Sequence, residues 1–285
     1  MPNLSTPRGT FNVRTYGNPD HPPVILLHGW PQTSYCWHHL ANHLEGLYVI
    51  APDLRGMGDS NRELDLKLYT KDEMARDIFA IADAMNIRRF YLGGHDWGGA
   101  IVQEMAFLHP ERIQKLIIIN MVIINNPVGQ AKAGELLIQQ QFRSSWYQFF
   151  LSIKDFPEAM IAGKEDIWVR FFSQGISNPV PEDAIQEYIR CYKIPGTLTT
   201  AANMYRALPK DRERWQAHYA THRVDVPTNF IHGVLDPVII KEYIEGVEGY
   251  YSQVTVTKLK GGHFILDEQP EEVAQAIREF LIGTP

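Results

Sequence analysis

The chain has 285 residues, 45% hydrophobic and 21% charged, enough apolar material to bury a large core, which excludes a disordered chain. Its net charge of −6, with Lys and Arg scattered, leaves no basic patch for phosphates and excludes nucleic acid as a partner. No segment reaches the roughly 18 apolar residues of a membrane span, so no membrane partner is expected.

The start, Met1-Pro2-Asn3-Leu4-Ser5, lacks the basic and apolar parts of a secretory leader, and a cytoplasmic location is expected. Thr10–Tyr16 alternates like a strand. Pro23-Val24-Ile25-Leu26-Leu27 is a continuous apolar run of the kind buried on both faces of a parallel sheet, and it leads directly into His28-Gly29-Trp30-Pro31. Cys36 and Cys191 lie in unrelated segments and are expected as free thiols. Tyr48–Ala51 is a third strand, followed by the glycine-rich loop Asp53–Ser60. Thr70-Lys71-Asp72-Glu73 has the pattern of a capping box, and Met74, Ile78, Ile81 and Met85 recur at helical spacing behind it.

Leu92-Gly93-Gly94-His95-Asp96-Trp97-Gly98-Gly99 follows the short run Arg89–Tyr91 and precedes a helix-like stretch, Ala100–Leu108. Strand, glycine-bounded residue, helix is the pattern of a nucleophile elbow. Gly94 and Gly98 let the chain turn sharply and push the central side chain out at a helix N-terminus. That residue is Asp96. A carboxylate that attacks a saturated carbon leaves an alkyl ester that activated water can cleave, whereas an alkoxide would leave an ether.

Lys115–Asn120 is another buried strand, after which the alternation of strand and helix stops. From about 125 to 223 the sequence is rich in aromatics, and Leu136–Phe150, Glu182–Tyr192 and Thr197–Ala207 each have helical character, with Pro179 and Pro181 marking a break. This is the pattern of a helical cap inserted at 125–223 into a core formed by 1–124 and 224–285. Strands return at Pro227–Gly233 and Val254–Leu259, and Pro270 opens a C-terminal helix. Loops at the C-terminal ends of such a sheet share one face, where open α/β sheets bind ligands.

An ester on Asp96 needs a base for the water that cleaves it. His263, in Lys260-Gly261-Gly262-His263-Phe264 after the last strand, is the candidate, and Asp236, in the loop after the preceding strand, would orient its imidazole. Asp267 and Glu268 are the weaker choices for that acid, because both follow His263 at the edge of the terminal helix. The backbone N–H groups of Trp30 and Trp97 are candidates for the oxyanion hole, and losing one such donor typically costs about 3 kcal/mol in barrier. The hydrolytic step should fail towards acid, near an ordinary imidazole pKa of about 6.5 if the ring is unshifted.

With these residues assembled, the chain resembles the α/β-hydrolase superfamily and, within it, the soluble epoxide hydrolases, nearly end to end. His28-Gly29-Trp30-Pro31 is similar to the HGxP motif, Asp53–Ser60 to the DxRGxGxS loop and Gly94–Gly98 to the GxDxG elbow. The resemblance implies a mostly parallel eight-stranded sheet flanked by helices, and two cap tyrosines, Tyr147 and Tyr205, that polarise the epoxide oxygen. It implies no cofactor and no metal, with a small neutral epoxide and water as partners; whether two copies pair as a homodimer is left open. Trp30, Trp97, Trp146, Phe149 and Met204 are expected to line the substrate pocket, with an apolar tail favoured.

The alternative is a haloalkane or haloacetate dehalogenase, which uses the same nucleophile. Such enzymes usually hold the halide with the Trp after the nucleophile plus an Asn in an HGNP motif or a second Trp. Trp97 fits, but position 30 is Trp rather than Asn, and the Arg after the nucleophile and the His early in the cap of fluoroacetate dehalogenases are replaced by Trp97 and Tyr147. A more distant alternative is a ligand receptor on a retired hydrolase scaffold.

Overall fold

A computed structural model describes residues 3–283; Met1 and Pro2, part of the N-terminal stretch considered above, lie outside the described residues. Eight strands form one sheet: β1 (Asn3–Thr6), β2 (Gly9–Tyr16), β3 (Pro23–Leu27), β4 (Tyr48–Pro52), β5 (Phe90–His95), β6 (Ile113–Ile119), β7 (Thr228–Gly233) and β8 (Val254–Leu259). Their spatial order is β1-β2-β4-β3-β5-β6-β7-β8. Only the pairings of β1 with β2 and of β2 with β4 are antiparallel.

Central strands are apolar for a physical reason. β3 lies between β4 and β5, and its Val24, Ile25, Leu26 and Leu27 are wholly buried because helices cover both faces. The core helices are α1 (His38–Ala41), α2 (Lys71–Ala84) and α3 (Trp97–Leu108). Between β6 and β7 come α4 (Pro127–Gln139), α5 (Trp146–Ser152), α6 (Phe156–Ile161), α7 (Glu165–Phe172), α8 (Glu182–Tyr192), α9 (Thr197–Arg206) and α10 (Leu208–His218). The chain closes with α11 (Ile265–Glu268) and α12 (Pro270–Ile282). No helix among the described residues is long and apolar enough to cross a membrane.

Two local expectations need correction. The capping box at the start of α2 does not form: Thr70 occupies the N-cap position, but its hydroxyl donates back to the Lys67 carbonyl. The Lys71 N–H is instead capped by Oδ1 of Asp211, from α10, at 2.8 Å, so a tertiary contact does the work that a local one could have done. The stretch Leu136–Phe150 is not one helix either. Gln141 and Phe142 adopt φ of 54° and 53°, and this left-handed pair separates α4 from α5.

Cys36 and Cys191 are free and buried. The Asp53–Ser60 loop is structural. Asp53 accepts hydrogen bonds from the Ser34 and Asp59 backbones and from the Asn12 side chain, while Arg55 pairs with Asp77 of α2 at 2.7 Å. The strand order leaves the C-terminal ends of β3, β5, β6, β7 and β8 side by side, and each ends in a loop that supplies part of the site.

Candidate active site

Asp96 sits between β5 and α3 with φ 49° and ψ −124°, a conformation that costs a non-glycine residue energy and persists only where the surroundings enforce it. The glycines on either side make the turn feasible. A Cβ on Gly94 would lie 2.3 Å from the Gly98 carbonyl oxygen, and one on Gly98 would lie 2.4 Å from that of Leu27. The bend therefore closes only with hydrogen at both positions, and it presents the Asp96 carboxylate to the cavity above the sheet.

The loops after the neighbouring strands converge on that carboxylate. From the loop after β3, the Trp30 N–H donates to Asp96 Oδ1 at 2.8 Å. His263, after β8, has its Nε2 3.6 Å from Asp96 Oδ2, an ion-pair separation beyond hydrogen-bond reach. Its Nδ1 lies 2.8 Å from Oδ2 of Asp236, after β7. Asp236 is held in turn by the backbone N–H groups of Val238 and Ile239, which donate to Oδ1 at 2.7 and 3.0 Å. The Trp97 amide opens α3 and is one of the donors that a helix start leaves without a partner in its own helix. Asp267 and Glu268 are occupied elsewhere, with Gln32 and Tyr188 and with Gly262 and Ser177 respectively.

A cavity of about 480 Å³ opens on Asp96 and Trp97 and is walled by Tyr147, Tyr205, Met121, Leu137, Phe149 and Leu208, among others. A smaller one of about 260 Å³ reaches His263 and is lined by Trp30, Trp146 and Phe172, with Tyr147 facing both. Tyr147 and Tyr205 are packed edge to face, centroids 5.8 Å apart, and Trp30 stacks on Tyr147 at 5.1 Å. Met204 needs correction: it is fully buried in the hydrophobic core and lines neither cavity, because its position on α9 turns it into that core. Phe149 and Trp146 do line cavities, each from a partly exposed position on α5.

The alpha/beta hydrolase fold family model matches residues 22–270. The chain belongs to this family. Among relatives of this α/β hydrolase, the AB hydrolase superfamily protein YfhM of Bacillus subtilis is 30% identical, over 95% of this chain and 94% of that protein. Epoxide hydrolase 4 of Mus musculus is 31% identical, over 95% of this chain and 76% of its own. The solved structure of the epoxide hydrolase CorEH superposes with a TM-score of 0.81 at 26% identity, covering 96% of this chain and 95% of that one.

Electrostatics in this hydrolase's site follow from its geometry. Burial alone would lower the pKa of His263, but Asp236 and then Asp96 override it and push it up to about 10. The resting site thus favours an imidazolium between two carboxylates, a state distinct from the esterified one to which the expected value of about 6.5 applies. Burial would likewise raise Asp96; the pairing with His263 outweighs it and holds the carboxyl below its usual range. Both phenols are pushed up by burial, with the Asp96 charge adding to the effect, so each keeps its proton at neutral pH.

Several supports escaped the sequence reading. His95, neutral because burial lowers its pKa to about 4, places Nε2 2.7 Å from the His263 carbonyl. Asn120, after β6 with φ 43°, donates to the carbonyls of Gly262 and His263 and accepts from the Gly233 N–H, joining the loops after β7 and β8. The one available signal for Asn120 was a polar residue ending an apolar run. Tyr192, which accepts the Trp30 indole N–H at 2.6 Å, gave none.

Proposed function

We propose that this α/β hydrolase converts a small neutral epoxide to a vicinal diol in two steps through an alkyl ester on Asp96. One observation carries the reading: the Asp96 carboxylate at the elbow opens on the same cavity as two phenols, Tyr147 and Tyr205, whose pKa values burial pushes up. Oδ1 is engaged by the Trp30 N–H, so Oδ2 is the attacking oxygen. As Oδ2 bonds to the oxirane carbon, the C–O bond breaks and a phenol gives the departing oxygen its proton; the phenolate is reprotonated at the expense of the His263 imidazolium, which leaves a neutral ring for the second step.

Oδ1 is then the carbonyl oxygen of the ester, already beside the donor that will hold the oxyanion when water adds. His263, oriented by Asp236, accepts the proton of that water; collapse of the tetrahedral species expels the diol and restores the carboxylate. In this reading residues 125–223 act as the cap that supplies the phenols and excludes bulk water.

A halide reading has one point in its favour: the Trp97 indole N–H lies buried without a hydrogen-bond partner in the wall of the larger cavity. The Trp30 indole N–H, the natural second donor, is taken by Tyr192, which leaves a departing halide one side-chain donor where two are needed. A single turnover in heavy-oxygen water tests the proposal. The first diol should carry light oxygen from Asp96, and heavy oxygen in that first product would overturn the covalent route.

A further inference from the structure

Lys71 is a buried cation outside the set of groups that the proposed chemistry uses. Its side chain is wholly buried at the start of α2, beneath the elbow. The ammonium donates to Asp211 Oδ2 at 3.0 Å and to the Met204 carbonyl at 2.8 Å, and it lies 4.1 Å from the centroid of the Trp97 ring. Asp211 is just as deeply buried, and its other oxygen caps the Lys71 backbone N–H.

These contacts converge on two residues that face the cavity. The Met204 carbonyl belongs to the peptide unit that precedes Tyr205, so the ammonium fixes the backbone on which that phenol stands. Trp97 follows Asp96 directly, and its ring packs edge-on against Tyr205 with centroids 5.2 Å apart. A desolvated cation over an indole face is held by the ring quadrupole, and it restricts the ring in return. One ammonium thus reaches Tyr205 by two routes, through the Met204 carbonyl and through the Trp97 ring. Replacing such a pair with apolar residues is often neutral for stability, so stability alone does not account for the pair.

We propose that Lys71, locked by Asp211, is a positioning residue for ring opening: through the Met204 carbonyl and the Trp97 ring it sets the Tyr205 phenol against Asp96, acting on formation of the ester and not on its hydrolysis. The proposal rests on the reading given under Proposed function. Its test separates the two half-reactions by rapid quench with styrene oxide, following the mass of the Asp96 peptide.

In the double variant Lys71→Met/Asp211→Leu, which leaves no unpaired buried charge, ester formation should fall by about tenfold or more while hydrolysis changes by no more than about twofold. In a Tyr205→Phe background the same pair of changes should slow ester formation by no more than about twofold, because the group acted upon is gone. Asp211→Asn keeps the cap on the Lys71 N–H and every apolar contact; it should show the same step-selective loss at smaller size, even if the double variant does not fold. Equal slowing of both steps, or an undiminished loss in the Tyr205→Phe background, would overturn the role of Lys71 alone. If the unsubstituted chain forms no ester, the covalent reading and the role of Lys71 fall together.

Discussion

The Trp30 N–H donates to Asp96 Oδ1 at 2.8 Å across 66 positions of sequence, and in the proposed reaction this one hydrogen bond leaves Oδ2 as the attacking oxygen. It forms because β3 and β5 are parallel neighbours in register, Leu27 beside Gly94, so that the loops leaving them emerge together. A donor placed in advance at the oxygen that later carries the charge needs no reorganisation during the reaction.

Separating base from nucleophile should trap the intermediate. His263→Gln and Asp236→Asn are expected to form the ester on Asp96 but to hydrolyse it about 10²- to 10⁴-fold more slowly, the usual range for losing a positioned base. Mass analysis of the Asp96 peptide under substrate excess should show the covalent increment in both variants and not in Asp96→Asn. An unmodified peptide in all three would count against covalent catalysis.

The pH dependence should carry the mark of the imidazolium. In the resting site His263 is raised to about 10, with Asp236 and Asp96 overriding the opposing effect of burial. Esterification removes the Asp96 charge, so the base is released only after the first step, while Asp236 still favours the protonated ring. Hydrolysis of the preformed ester should therefore rise with pH through an apparent pKa above the ordinary value of about 6.5 and below the resting one. A limb at or below the ordinary value in single-turnover data would show that Asp236 does not act on the ring as its 2.8 Å contact implies.

Removing the phenols should affect the first step. Tyr147→Phe and Tyr205→Phe keep the ring packing and are each expected to slow ester formation by about tenfold or more, with the double variant losing about 10²- to 10⁴-fold. Hydrolysis of the ester should be unchanged, and the wild type should release bromide from a matched bromoalkane far more slowly than it forms diol. Faster bromide release, indifferent to both tyrosines, would favour the halide reading.

What was legible in the sequence was whatever depends on local spacing. The run Pro23–Leu27, the glycines around Asp96 and the positions of Asp236 and His263 after the last two strands are each written within a few neighbouring residues, and the structure gathers the loops that follow at the C-terminal ends of the strands. The residues that escaped are those whose partners lie far along the chain: Asn120 bridging two loops, Tyr192 on Trp30, Lys71 on Asp211. The failed capping box has the same origin. A Thr-Lys-Asp-Glu pattern is a local invitation, and the Asp211 carboxylate arriving from α10 met the need more fully. Met204 was misplaced because helical position, not residue type, decides which side of α9 faces the cavity.

Stability should fall as pH rises from about 4 through about 7 because of Asp267. This carboxyl is buried against Tyr188 and Gln32, which both donate to Oδ2, and its Oδ1 has no hydrogen-bond partner. Burial outweighs those two hydrogen bonds and raises its pKa from 3.8 to about 7. A folded-state value above the unfolded one means that the native state holds the proton more tightly. The favourable contribution is complete below the unfolded value and is lost as pH rises through about 7. Asp267→Asn mimics the protonated form, keeps an oxygen for both donors and has no proton to lose. The variant should match the wild type at low pH and exceed it above neutrality by on the order of a few kcal/mol. Urea titrations at several pH values measure this. The prediction fails if the two stability curves run parallel from acid to pH above 7, since the carboxyl would then titrate alike in the folded and unfolded chains.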